Sequence, residues 1–375
     1  MHDESLSVHA GRTVDPATGA VTLPLHLSTT FERDADGAYS RGYIYSREGN
    51  PVRDAFERCM GELEGGSESV AFPSGMAAAF AVLQTLRPGD RIVVARDTYF
   101  GVRDLLVDYF PQWGIDAVFV DFNDAQAFGA ACVPGTRMVW LETPSNPLIE
   151  IIDIEAAAAI AHRAGAFVVC ENTFATPILQ RPFAHGADAV VHSVTKYLSG
   201  HSDVLAGAVV FTERGELERR VRDFQTFAGS TIDPFSAWLT LRGIQTLAIR
   251  MRAHCENAMA VARFLEGHPA VTRVYYPGLE SHPGHAIAKK QMRGFGGMLS
   301  FEIRGGRDEA YAAIARLQLV TRATSLGGTH SLVEHRASIE GPHTRAPESL
   351  VRLSAGLEHA DDIVADLERA LDVCA

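Results

Sequence analysis

Asp188-Ala189-Val190-Val191-His192-Ser193-Val194-Thr195-Lys196-Tyr197-Leu198-Ser199-Gly200-His201-Ser202-Asp203 is the stretch on which the reading of this chain turns. It opens on a short apolar strand, Ala189 to Val191, and runs into a loop of Gly, Ser and His. Between them stands Lys196, one of only three lysines in the 375 residues. The other two, Lys289 and Lys290, are adjacent and lie in a polar helical pattern, where they read as solvated surface. Arginine does nearly all the other cationic work. A lysine beside an apolar run can lose its proton and become a nucleophile, which arginine cannot do. Upstream, Val168-Val169-Cys170-Glu171-Asn172-Thr173 is a second apolar strand that ends in an acid.

A lysine amine and an acid at adjacent strand ends suit one cofactor above all, pyridoxal 5'-phosphate (PLP). The lysine forms the Schiff base and the acid keeps the pyridine nitrogen protonated. From about residue 68 to 211, short apolar runs alternate with longer helical patterns. The expected strands are Arg91–Ala95, Ala117–Val120, Met138–Glu142, Phe167–Cys170, Ala189–His192 and Ala208–Phe211. Met76–Leu86, Leu105–Phe110 and Ile154–Ala164 are expected helices. Such alternation predicts an α/β fold with a mostly parallel sheet covered on both faces. Ligands of these sheets collect at the carboxyl ends of the strands, where Glu171 and Lys196 fall. After Pro234 comes a long helical stretch, Ser236 to Glu266, then a Pro/Gly/His-rich loop, Tyr276 to His285. A smaller α+β segment, Gly297 to Leu371, follows. Residues 1–48, rich in Ser, Thr, Arg and Tyr, could not form a core alone and read as an arm that docks elsewhere. The expected division is an arm over 1–48, a large domain over 49–245 and a small C-terminal domain over 246–375.

Composition narrows the function classes. Hydrophobic content of 46% and charged content of 21% are globular values. A net charge of −12 argues against a nucleic-acid or anionic-membrane surface. No apolar run approaches the roughly 18 residues that would span a bilayer, and the acidic start, Met1-His2-Asp3-Glu4, lacks a signal-peptide core. Cys59, Cys132, Cys170, Cys255 and Cys374 are scattered, odd in number and without CxxC spacing. Reduced thiols in a cytoplasm are the expectation, with no disulfide framework and no metal site.

Further motifs each admit a bland explanation beside a chemical one. Phe72-Pro73-Ser74-Gly75-Met76-Ala77 opens a helix with small residues. Its free N–H groups suit a phosphate, and an ordinary Ser N-cap explains the same residues. Ser193 and Thr195 put two hydroxyls beside the lysine, within reach of a phosphate. Tyr99 follows an expected strand, as a ring that stacks on a flat cofactor or as core. Glu142-Thr143-Pro144-Ser145-Asn146-Pro147 reads as a strand end and a turn. Arg352 lies inside the apolar pattern Leu350-Val351-Arg352-Leu353-Ser354. A buried arginine needs an anion, either a substrate carboxylate held by two parallel hydrogen bonds or a structural ion pair. His282-Pro283-Gly284-His285 has ligand spacing but the composition of an exposed turn.

Taken together these residues resemble the Cys/Met-metabolism family of PLP-dependent enzymes, which includes cystathionine γ-synthase, cystathionine γ-lyase and methionine γ-lyase. The resemblance covers nearly the whole chain. It runs from Val8-His9-Ala10-Gly11 and Ser28-Thr29-Thr30-Phe31, through Tyr45-Ser46-Arg47-Glu48-Gly49-Asn50-Pro51 and the lysine signature, to Ser325-Leu326-Gly327-Gly328 and Arg352-Leu353-Ser354. It implies a fold-type-I PLP enzyme. Lys196 would be the Schiff-base lysine and proton shuttle, Glu171 the partner of the ring nitrogen and Tyr99 the stacking ring. Gly75, Met76, Ser193 and Thr195 would hold the phosphate; Asn146, Ser325 and Arg352 would orient substrate carboxylate and cofactor. Tyr45 and Arg47 would reach the phosphate of a neighbouring subunit, implying a site built by a dimer within a homotetramer.

Four positions depart from the family pattern. Glu171 stands where an Asp is usual, so the acid is kept on a longer arm. Phe100-Gly101 replaces the Gly-Gly or Gly-Cys that follows the stacking tyrosine. His330 takes the place of a glutamate that many cystathionine enzymes carry near the distal part of the substrate. Ile339 to Ser349 is short and lacks a Met-Thr-His sequence. The expected activity is γ-elimination or γ-replacement on a sulfur-containing or homoserine-derived L-amino acid. A β-lyase acting on a cysteine derivative, or a γ-lyase for a specialised amino acid, is the alternative within enzymes. A silent PLP-binding scaffold is the alternative outside them. Because His330 supplies no fixed negative charge, a substrate without a distal ammonium is expected to serve better than cystathionine.

Overall fold

The computed structural model describes residues 1–341 and 344–372. Runs rich in Val, Ile and Ala between polar turns form seven short strands: β1 Glu68–Phe72, β2 Arg91–Ala95, β3 Asp116–Val120, β4 Thr136–Glu142, β5 Phe167–Glu171, β6 Ala189–Ser193 and β7 Gly207–Phe211. They make one sheet in the order β1-β7-β6-β5-β4-β2-β3. Only β7 runs against its neighbours; the other pairings that join β2 to β6 are parallel. Alternate residues of each strand feed separate apolar clusters. Ile92, Val94, Met138, Trp140 and Val169 pack toward one face, and Val93, Val139, Leu141, Val168 and Cys170 toward the other. A strand buried on both sides reads as an unbroken apolar run, which explains the pattern of the sequence.

Most of the expected elements form with ends shifted by a few residues. The first expected helix is Gly75–Leu83, stopping three residues short of Leu86. Strand β1 was not among the expected strands; its five residues run straight into the Pro73-Ser74 turn. The helix expected over Leu105–Phe110 is a wide π-type turn, Leu105–Tyr109, continuing a short helix Phe100–Asp104. The long stretch after Pro234 splits at Gln245-Thr246 into helices Pro234–Ile244 and Leu247–Glu266.

A second sheet gathers β8 Val271–Tyr275, β9 Met298–Ile303, β10 Thr321–Arg322, β11 Leu332–His335 and β12 Leu350–Ser354, in the order β10-β11-β12-β9-β8. Residues 1–50 contribute one helix, α1 Asp3–His9, and an isolated bridge between Thr30 and Tyr45. Asp3 ties α1 to the body through Arg181 and Arg293, and Trp238 donates to the Leu23 carbonyl at 2.9 Å. Val14 and Val21 between these anchors, and Leu27 beyond them, are exposed. Among the described residues no helix is long and apolar enough to cross a membrane.

Candidate active site

The carboxyl ends of β4, β5 and β6 open on a cavity whose far wall is the second sheet. Lys196 lies three residues beyond β6. Its Nζ donates to Ser325 Oγ at 2.7 Å. Burial, and then the charge of Arg352, lowers its pKa from 10.5 to about 8. Burial penalises the ammonium form, so the side chain is poised as a neutral amine. Ser325 has φ +85°, a left-handed conformation that a non-glycine residue rarely holds without tertiary support. Two residues on, Gly327 (φ +74°) passes so close to Tyr197 that an added Cβ would lie 2.7 Å from its backbone nitrogen. The Ser325 turn is thereby pressed against the lysine loop.

Opposite the lysine is an anion cradle. The helix Gly75–Leu83 starts at Ser74, whose side chain accepts from the Ala77 N–H at 3.0 Å. Its first N–H groups lack helical partners and carry the positive end of the dipole. Gly75 meets Ser193 closely enough that a Cβ would come within 2.8 Å of its hydroxyl. Met76 and Thr195 line the same cavity. The N-cap and the cradle are one structure here, so the two readings of Ser74-Gly75 are compatible. Tyr99 also lines the cavity, with Gly101 beneath it: a Cβ there would sit 2.8 Å from the Tyr99 ring and 3.0 Å from Met76 Sδ. These residues fit the chemistry of PLP: Gly75, Met76, Ser193 and Thr195 would hold its phosphate, and Tyr99 and Lys196 would flank its ring.

Glu171 closes β5 and lines the cavity floor. Its carboxylate is drawn back onto the following turn, accepting from the Thr173 N–H at 3.2 Å and from the Thr173 hydroxyl. The extra methylene, relative to Asp, is taken up by this curl. Burial raises its pKa; the Thr173 hydroxyl and then His192 act the other way.

Arg352, on β12, is buried and reaches in from the second sheet. Its Nη1 donates to Asn146 Oδ1 at 3.0 Å, and its Nη2 to the Ser325 carbonyl and to Glu334 Oε2, both at 3.0 Å. The structural ion pair weighed for Arg352 is therefore present. A guanidinium has more N–H groups than these three bonds use, which leaves donors for a carboxylate. Burial, and then the neighbouring Arg336, lowers the Arg352 pKa to about 10.

The structure thus brings Gly75, Met76, Tyr99, Asn146, Glu171, Ser193, Thr195, Lys196, Ser325 and Arg352 to one cavity. It does not bring Tyr45, Arg47 or His330 there. Tyr45 is exposed on the arm under the Arg47 guanidinium, and Arg47 donates to the Thr226 carbonyl at 2.9 Å. His330 is exposed, with Thr329 as its neighbour at 3.3 Å. Sequence reasoning missed Arg336, which lines the cavity and is 2% exposed. It is held by Glu334 at 2.6 Å and Glu340 at 3.0 Å, with its guanidinium 5.8 Å from the Phe100 ring. The available signal was an arginine between two acids four and two residues away, just before the segment that departs from the family pattern. Glu142, noted only as the end of a strand, is a second acid on the cavity floor.

From residue 4 to 372 the chain matches the family described as Cys/Met metabolism PLP-dependent enzymes. It is 47% identical over 371 residues to the cystathionine gamma-synthase of Mycobacterium tuberculosis, covering 97% of this chain and 95% of that protein. It is 45% identical over 381 residues to the cystathionine beta-lyase of Coxiella burnetii, covering 99% and 98%. Among solved structures, the cystathionine gamma synthase of Xanthomonas oryzae pv. oryzae in complex with aminoacrylate and cysteine superposes with a TM-score of 0.95 at 41% identity, covering all of this chain and 98% of that one.

Proposed function

Because the chain belongs to the Cys/Met metabolism family of PLP-dependent enzymes, we propose that it catalyses γ-elimination or γ-replacement on a sulfur-containing or homoserine-derived L-amino acid. The cofactor is PLP. The observation that carries the reading is the meeting of Lys196, Glu171 and Arg352, from separate elements of two sheets, in one cavity. Bound PLP supplies an electron sink for charge developing at the substrate α-carbon. Lys196 holds the cofactor, takes the α-proton and moves protons toward Cβ, with Ser325 Oγ steering its Nζ. Glu171 keeps the ring nitrogen protonated. Tyr99 stacks on the ring, and Gly75, Met76, Ser193 and Thr195 hold the phosphate. Arg352, backed by Asn146, binds the substrate carboxylate.

The assembly belongs to the same proposal. In this reading the exposed Tyr45 and Arg47 serve a neighbouring subunit, in a cytoplasmic homotetramer built as a dimer of dimers. The arm over 1–48, the PLP-binding domain over 49–245 and the domain over 246–375 act as three parts of each subunit. A second reading, β-elimination at a cysteine derivative, is favoured by the 45% identity to a protein named cystathionine beta-lyase. A panel of L-amino acids, with and without thiols, separates the two. The proposal expects 2-oxo acids or replacement products from γ-substituted substrates. Products from β-substituted substrates alone would overturn it in favour of the second reading, and no spectral response to any amino acid would overturn both.

A further inference from the structure

Glu142 has no part in the roles assigned above, yet it stands beside Glu171. It closes β4 as Glu171 closes β5, and the two are direct register partners. Adjacent strands lie about 4.8 Å apart and paired residues point to one face. Both acids line the same cavity. Glu142 is 3% exposed. One of its oxygens accepts the Tyr99 N–H at 2.8 Å and the Thr98 hydroxyl at 3.1 Å. Among the described residues neither acid hydrogen-bonds a cation; Glu171 takes its hydrogen bonds from Thr173 and from the Ser193 backbone.

The surroundings do not relieve this crowding. Asp97, from the loop after β2, adds a third acid, buried like Glu142 and itself hydrogen-bonded to Ser145. Burial, and then the charge of Glu171, raises the pKa of Glu142. His192 from β6 and Lys196 favour the charged form of Glu171, while one edge of Arg352 is taken by Glu334. Two carboxylates in one pocket of low dielectric do not both ionise near neutral pH.

We propose that Glu142 is a positioning residue that works as a neutral carboxylic acid. One oxygen pins the Tyr99 backbone and so sets the ring that faces the cofactor. Its proton is shared with Glu171, so that the pair carries a single negative charge, delivered by Glu171 to the ring nitrogen. This rests on the cavity being the PLP site.

Two variants separate the parts of the inference. Glu142→Gln keeps an oxygen for the Tyr99 N–H and offers an amide N–H in place of the shared proton. Glu142→Ala removes both. The readouts are the PLP dissociation constant, the visible circular dichroism of bound PLP, and the infrared C=O stretch of a neutral carboxyl group in cofactor-free protein. The infrared measurement is made at about pH 8, above the value of about 6 to which burial raises Asp97. Glu142→Gln is expected to bind PLP within about threefold of the unaltered protein, with the same dichroism. Glu142→Ala is expected to weaken binding about tenfold or more and to change the dichroism, as for an orphaned buried donor. A neutral-carboxyl band present in the unaltered protein is expected to vanish in Glu142→Gln. If Glu142→Ala does not fold, Glu142→Asp, which withdraws the oxygen from Tyr99, takes its place with the same expectation. A Gln variant as weak as the Ala variant, or a band that survives the Gln substitution, overturns the inference. Unaltered protein that takes up no PLP overturns the site assignment itself, before any variant is compared.

Discussion

Lys196 and Glu171 carry opposite electrostatic demands within one cavity. Burial pushes the lysine down toward neutrality, to about 8 from 10.5. The neutral amine is the nucleophile, and its fraction grows as pH rises toward the shifted value. Covalent capture of PLP by cofactor-free protein is therefore expected to speed up about tenfold per pH unit below about 8 and to level off above it. Stopped-flow absorbance checks this, and a plateau reached only near the value of free lysine would contradict it. Lys196→Ala is expected to lose the covalent cofactor and several orders of magnitude in rate. Borohydride reduction and peptide mapping locate the attachment; a label on Lys289 or Lys290 would sink the assignment. Glu171→Gln is expected to keep some PLP, since shape is retained, but to slow α-proton removal by about 10²-fold, in keeping with the loss of one preorganised charge. Near-normal exchange of the α-proton into deuterated water would mean that another group serves the ring nitrogen.

Strands β11 and β12 supply a buried charge network rather than single residues. Glu334 and Arg352 are register partners across the pair, and Arg336 follows immediately after β11. Glu334 thus bridges two arginines, while Glu340 takes the outer side of Arg336. Removing one partner of a buried ion pair leaves an uncompensated charge and costs roughly 3–5 kcal/mol. Glu334→Gln is expected to lower unfolding stability by about 3 kcal/mol, read from denaturant titration; a change near zero would mean that Arg336 and Arg352 find other anions. Arg352→Lys keeps charge but loses the planar fork. Substrate affinity is expected to fall steeply while the resting cofactor spectrum stays as it was. Unaltered substrate affinity would leave Arg352 with a structural role alone.

At the scale of the molecule, the arm is the feature one subunit does not explain. Tyr45 is exposed although it is a large aromatic residue, and the Arg47 guanidinium lies over the Tyr45 ring and donates to the Thr226 carbonyl. If they complete a neighbour's phosphate site, inactive variants should complement. Lys196→Ala subunits mixed with Arg47→Ala subunits form dimers in which one of the two sites has both residues intact. Random mixing in a symmetric dimer then restores about a quarter of full activity. Additive residual activity, with no gain on mixing, would show that each site is complete within its own chain.

The chemistry of this protein was legible locally. Lys196, Glu171, Tyr99 and the Ser74-Gly75 turn each sit at the end of a strand or the start of a helix, and those boundaries are written in short-range apolar periodicity and turn residues. The positions of β4 to β6 along the chain are similarly local, because a strand buried on both faces must carry an unbroken apolar run. The long-range pairings could not be read this way. Nothing near Glu142 in sequence says that it will face Glu171, and nothing near Arg352 names Glu334, Asn146 and Ser325 as its partners. Strand order and the docking of the second sheet decide those contacts. The place of His330 belongs to the same class: the resemblance to the family implies a place near the substrate, while the turn after Gly328 leaves it exposed and outside the cavity of this chain. Periodicity specifies which side of an element is buried, whereas a cavity is made where several elements end together, and only the folded chain determines which ends meet.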